Sequence, residues 1–151
     1  GKDIIILTSG ICTEEAIRAR SALKKFGVSI KHIHISTLKP INEKLFLSLL
    51  DEIKYGVITM ENHLVNGGLG SIISDIIAKY GLGKKLIKLG LQDTYAHGGS
   101  KGYLSRYYNL DALALIRSIE NLTNLKTNIE EKNLNEARIE DVHSLAKAEA
   151  L

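Results

Sequence analysis

Hydrophobic and polar residues along the chain alternate between two kinds of segment. Asp3-Ile4-Ile5-Ile6-Leu7-Thr8 is a short, unbroken, β-branched run ended by Ser9-Gly10, and Val57-Ile58-Thr59-Met60-Glu61 repeats that character after the Tyr55-Gly56 turn. Runs of this length and composition read as strands covered on both faces. Two further strand-like segments are mixed. Val28 to Ile35 interleaves Ile30, Ile33 and Ile35 with Lys31, His32 and His34, and Lys84 to Leu91 carries spaced lysines. Both suit sheet edges, where charge discourages pairing with other chains. Between the strands lie segments with apolar residues at steps of three and four, the signature of helices with one buried stripe. Ala16, Ala19, Leu23 and Phe26 form the first stripe, with Thr13 as the expected cap and Gly27 as the stop. Leu45, Phe46, Leu49, Leu50 and Ile53 form the second behind Asn42, and Leu69, Ile72, Ile73, Ile76 and Tyr80 the third behind Asn66-Gly67-Gly68. After the Gln92 to Ser100 loop comes a short helical stretch around Leu104 and Tyr107, then a helix capped by Asp111 and ending near Leu122.

Strands alternating with helices at this spacing predict an α/β fold in three layers, α/β/α, on a mainly parallel four-stranded sheet. The two uninterrupted strands belong at its centre, so the expected order is 2-1-3-4. Ligands of such sheets favour the crevice at the carboxyl ends of the central strands, lined here by Ser9 to Cys12 and Asn62 to Gly68. Ile139, Val142 and Leu145 recur at three-residue steps, which predicts a helix from about Asn135 to Ala148. The expected organisation is an α/β domain over residues 1–122 and a C-terminal extension over 123–151.

A chain of 151 residues with 44% hydrophobic and 25% charged residues has enough apolar surface for one ordinary core. The net charge of +3 is divided unevenly. Residues 122–151 hold four Lys+Arg against six Asp+Glu, leaving a body of +5 and a tail of −2. The lysines are scattered and not interleaved with aromatic residues, so no nucleic-acid partner is expected. No apolar run reaches the ~18 to 20 residues of a membrane span, and no secretory leader opens the chain, which points to a cytoplasmic protein. Cys12 is the only cysteine, which excludes an internal disulfide and a paired-cysteine zinc site. Gly1 opens the chain and Met60 is its only methionine, so a fragment or a processed product is expected.

Candidate chemistry is sparse, and each motif has a plainer reading. Gly67-Gly68-Leu69-Gly70-Ser71 before a helix suits an anion cradle, but Ile73 stands where a dinucleotide fingerprint needs its third glycine and no P-loop lysine follows. Close packing of helix on sheet is the alternative. Cys12, expected just before a helix, is either a dipole-activated thiolate or a small buried apolar residue. His97, within Asp93-Thr94-Tyr95-Ala96-His97-Gly98-Gly99-Ser100, has hydroxyl and carboxylate neighbours for acid-base work, or it bonds to a neighbouring domain. His63, two residues from Glu61, has no companion at metal-ligand spacing, and His32 and His34 share one face of an exposed edge.

Four motifs in order, Asp3 to Gly10, Leu38-Lys39-Pro40-Ile41-Asn42, Val57-Ile58-Thr59-Met60-Glu61-Asn62-His63 running into Gly67 to Ser71, and Asp93 to Ser100 continued by Tyr107 to Asp111, resemble the C-terminal domain of the transketolase family. The resemblance covers Asp3 to about Leu122. It is closest to the short, often two-subunit transketolases of bacteria and archaea, and similar forms occur in deoxyxylulose-phosphate synthase and the 2-oxo acid dehydrogenase beta subunit. The resemblance implies transfer of a two-carbon ketol unit between sugar phosphates by the complete enzyme, with thiamine diphosphate and Mg²⁺ held between two upstream domains across a dimer interface. It implies no catalytic, cofactor-binding or metal-binding residue in this domain. The chain also lacks the Gly-Asp-Gly segment, and its following asparagine, that holds metal and diphosphate in that family. By itself it is expected to bind no cofactor and to be inactive. Its partners would be the N-terminal part or subunit of the same enzyme, in a homodimer or heterotetramer, met through Asn62, His63, Gly67, Gly68, Tyr95, His97 and Gly98. A stand-alone nucleotide- or anion-binding module is the alternative of another class. Two departures from the family are a missing antiparallel strand before Asp3 and the extension beyond residue 122.

Overall fold

A computed structural model describes residues 1–134 of the chain. Four parallel strands, β1 (Ile4–Thr8), β2 (Ile30–His34), β3 (Gly56–Leu64) and β4 (Leu86–Leu91), lie in the order β2-β1-β3-β4. This is the expected order, and its cause is visible in the burial. All five residues of β1 and the first six of β3 are buried, while β2 and β4 are largely half-exposed. Covered on both faces, the central strands favour continuous apolar runs, and the one exception in their buried stretches other than the strand ends, Thr59 of β3, keeps its hydroxyl buried without a hydrogen-bond partner.

The helices divide between the two faces. Ile4, Ile6, Ile58 and Met60 pack with α1 (Cys12–Leu23) and α5 (Ala112–Thr123) on one side. Ile5, Leu7 and Val57 pack with α2 (Glu43–Asp51) and α3 (Leu69–Lys79) on the other. Adjacent strand residues thus feed opposite cores, the period-two consequence of a pleated strand. A short α4 (Lys101–Tyr107), begun by the Ser100 side chain, lies after β4. Asn42 and Asp111 act as the expected caps, accepting from the Leu45 and Ala114 backbone N–H groups at 3.3 and 2.9 Å. Gly27 stops the α1 segment in a left-handed conformation, φ +73°, after a 3-10 turn over Lys24–Phe26.

Two local expectations are corrected. Thr13 is not the cap of α1, because Gly10 adopts φ +58° and the helix begins at Cys12 with Ile11 at the cap position. The Thr13 hydroxyl, already inside the first turn, bonds instead to Thr8 and His34. The third strand does not end at Glu61. It continues to Leu64, because the register with β4 shifts after Met60 and pairing resumes at Leu64 with Leu91.

Beyond α5 the chain turns at Asn124, φ +58°. One Glu120 carboxylate oxygen accepts from both the backbone N–H and the hydroxyl of Thr127 at 2.7 Å. Arg18 reaches Glu131 at 3.5 Å, and Leu134 is fully buried in the α1/α5 core. The helix expected over 135–148 lies outside the described residues.

Candidate functional site

Among the described residues, Cys12, Glu61, Asn62, His63 and the His97 loop gather at the carboxyl ends of the strands. β3 ends its buried run with Glu61, which is only 1% exposed. Its carboxylate turns to the start of α3, where Oε2 accepts from the Leu69 N–H at 2.7 Å and Oε1 from the Gly70 N–H at 2.8 Å. Two amides that an external anion would need are therefore held by a resident one. The glycines make room for this. A Cβ on Gly68 would drive into the Glu61 carboxylate, and one on Gly70 would lie 2.9 Å from Thr59 Oγ1 and 3.0 Å from Lys88 Cδ. Close packing of helix against sheet therefore requires Gly68 and Gly70, whereas Gly67 has open space where a side chain would go and answers to its φ of +83°. A diphosphate placed there would meet a carboxylate, so the segment does not fit the cofactor group that the family resemblance implies for the whole enzyme.

The candidate interface residues are brought to the same edge but not into one cluster. Asn62 and His63 are exposed on the outgoing end of β3, Asn62 lying over Gly10 and His63 donating from Nδ1 to the Leu64 carbonyl at 2.9 Å. Gly67, φ +83°, donates to Ser71 Oγ at 2.9 Å, and Gly68 is buried. Tyr95 is fully exposed. His97 is pinned by tyrosines: its backbone N–H donates to the Tyr108 hydroxyl at 3.2 Å, while its ring reaches Tyr108 Oη at 3.0 Å and Tyr103 Oη at 3.3 Å. Tyr107 stands edge-on to the same ring, 4.8 Å between centroids. Gly98 is exposed with open space where a side chain would go. A cavity of about 380 Å³ joins the two loops, with Asn62 on one side, Ala96 and Gly99 on the other, and Cys12 and Leu104 between them.

The environment of Cys12 decides between its two readings. It is the first residue of α1 and 2% exposed, and burial, followed by the Glu15 and Glu61 carboxylates, pushes its thiol up to about 12. Burial and the two carboxylates outweigh the helix dipole and disfavour the thiolate at neutral pH. Among the described residues no group of three or more His, Cys, Asp or Glu side chains could hold a metal ion.

Sequence reasoning missed two carboxylates. Glu61 was visible only as a strand-end residue. Glu15 accepts from the Ala112 N–H at 2.8 Å, 97 residues away, and from Arg18 at 2.7 Å. No local pattern signals such a contact. The tyrosines of α4 and its end were the available signal for the His97 nest, since Tyr103, Tyr107 and Tyr108 fall within six residues.

Comparison with known proteins agrees with this architecture. The family model described as the transketolase C-terminal domain matches residues 1–114. A protein of Methanocaldococcus jannaschii named as a transketolase C-terminal section is 35% identical over 119 residues, 79% of this chain and 36% of that protein. The 1-deoxy-D-xylulose-5-phosphate synthase of Halothermothrix orenii is also 35% identical over 119 residues, but these make up only 19% of its length. A solved split-gene transketolase, described as an inactive β4 tetramer, superposes with a TM-score of 0.73 at 29% identity over 84% of this chain and 41% of that one. The chain therefore spans well under half the length of the relatives it matches. With sequence, strand order and three-layer packing in agreement, the chain belongs to the transketolase C-terminal domain family.

Proposed function

We propose that this chain is the assembly-forming C-terminal part of a transketolase-type enzyme, which moves a two-carbon ketol unit between sugar phosphates in the cytoplasm. Thiamine diphosphate and Mg²⁺ belong to the N-terminal part or subunit, and this chain supports the pyrimidine-binding region and the contact between protomers of a homodimer or heterotetramer. The observation that carries the reading is the plugged cradle: the glycine-rich helix start is closed by Glu61, while the loops around it are left exposed. The same observation disfavours a stand-alone nucleotide- or anion-binding module. Asn62, His63, Gly67, Gly68, Tyr95, His97 and Gly98 are the proposed contact residues, the first two and Tyr95 by exposure, the glycines and His97 by shaping the loops. No catalytic or metal-binding residue is assigned to this chain. Residues 1–122 form the family domain and 123–151 its extension, with Thr127, Glu131 and Leu134 anchoring the start of that extension to the body.

A second reading, deoxyxylulose-phosphate synthase, is favoured by the identity to the Halothermothrix protein. Assays with the N-terminal part supplied separate the two by product: ketol transfer between sugar phosphates for the first, condensation of pyruvate with a triose phosphate with release of carbon dioxide for the second. His63→Glu or Gly98→Trp should weaken assembly of the complete enzyme, read by sedimentation, and lower activity in proportion. Undiminished assembly in both variants would remove these loops from the interface.

A further inference from the structure

β2 is joined to α1 by a chain of four side chains that the assembly reading does not use. Thr8 Oγ1 lies 2.9 Å from His32 Nε2 and 2.9 Å from Thr13 Oγ1, and Thr13 Oγ1 lies 2.7 Å from His34 Nδ1. Thr8 is fully buried, His32 partly so, and His34 is exposed. The proton count of this chain is restrictive. Its three hydrogen bonds need three protons, and the two hydroxyls supply two, each hydroxyl donating once and accepting once. The third must come from a ring nitrogen at one end, while the ring nitrogen at the other end is bare. If His32 donates from Nε2, both hydroxyls point toward His34, whose Nδ1 accepts, and both rings carry their proton on Nε2. If His34 donates from Nδ1, every bond reverses and both rings carry it on Nδ1. A mixed pair of neutral tautomers leaves one bond unmade.

We propose that His32, Thr8, Thr13 and His34 form a proton-sensitive clasp between the edge strand and the first helix, complete with at most one of the two histidines charged. One imidazolium is accommodated, because it takes the donating end and the chain runs away from it. A second places donors at both ends, four protons for three bonds, so one bond is lost and two cations face each other through the hydroxyls. The groups bearing on His32 act the same way. α1 contributes the Arg20 guanidinium and the Thr13 hydroxyl, β2 itself contributes His34, and β1 contributes only the Thr8 hydroxyl. Burial first, then Arg20 and His34, holds His32 below the ordinary histidine value. The clasp sits on the first turn of α1, the turn that also carries Cys12 of the cavity and Glu15, which caps α5.

Ring-nitrogen NMR on the labelled 151-residue chain, titrated from pH 8 to pH 5, tests this. At pH 8 both rings should show the same tautomer. The second proton should bind about two- to tenfold more weakly than in Thr13→Val, the worth of one hydrogen bond. Thr13→Val should also abolish the shared tautomer, and Thr13→Ser should restore both signatures. Opposite tautomers in the unmutated chain would overturn the proposal without any variant. So would titration midpoints left unchanged by Thr13→Val, since through-space repulsion alone survives that substitution.

Discussion

Glu61 sets the sharpest expectation for stability. Its carboxylate is almost wholly buried and holds two backbone donors of α3 at 2.7 and 2.8 Å. Hydrogen bonds to a charged acceptor contribute about 1.5 to 3 kcal/mol each, and a buried N–H left without a partner costs about 1 to 3 kcal/mol. Glu61→Gln keeps one acceptor oxygen but turns an NH₂ toward the second donor, so a loss of about 3 kcal/mol is expected. With a urea slope of about 1.5 to 2 kcal/mol/M for a chain of this size, the unfolding midpoint should fall by roughly 1.5 to 2 M with the slope unchanged. Gly68→Ala tests the same geometry from the other side, because its methyl would collide with that carboxylate. Its cost of about 1 to 3 kcal/mol should largely disappear in a Glu61→Ala background, giving a coupling energy of at least about 1 kcal/mol. The assay is urea unfolding followed by circular dichroism in the four corners of the cycle. A Glu61→Gln loss under about 0.5 kcal/mol, together with additive single changes, would refute the resident-anion account.

Three further outcomes follow from particular residues. Cys12, with its thiol raised to about 12, should resist alkylation by iodoacetamide at pH 8 in the folded chain and react readily in denaturant; comparable rates would contradict its burial. His32 lies below its ordinary value of 6.5 in the folded chain, so the unfolded chain takes up that proton first as the pH falls. Stability should decline as the pH drops through about 6.5 toward the lowered folded value, then level off, and His32→Gln should remove this component from urea midpoints measured between pH 8 and 5. Glu15→Gln leaves the buried Arg18 with Glu131, at 3.5 Å, as its remaining charged partner and weakens the Ala112 contact, with an expected loss of about 2 to 3 kcal/mol by the same unfolding assay.

The central strands were legible because burial on both faces leaves a mark on every residue. Ile4 to Leu7 and Val57 to Met60 are apolar except for Thr59, and their continuity was enough to order the sheet. Asn42, Asp111 and Gly27 were legible because caps and stops act within four residues of their own position. Thr13 misled for a related reason. It is a good cap residue beside acidic neighbours, but the left-handed Gly10 turn starts the helix two residues earlier and frees the hydroxyl for His34. Glu61 and Glu15 show where local reading ends. One is drawn to a helix start by a loop that folds back, the other to a residue 97 positions further along, and both contacts depend on how the elements pack in three dimensions. The loop residues Tyr95, His97 and Gly98 were placed on the correct edge, while the tyrosine nest that fixes His97 depends on how α4 turns back over that loop.

Calorimetric titration of thiamine diphosphate with Mg²⁺ is the most direct test of the claim that this chain serves assembly and not cofactor chemistry. Performed on the chain alone and on the chain mixed with the N-terminal part, it should show no saturable heat in the first case and saturable binding in the second. Saturable binding by the chain alone would contradict the account.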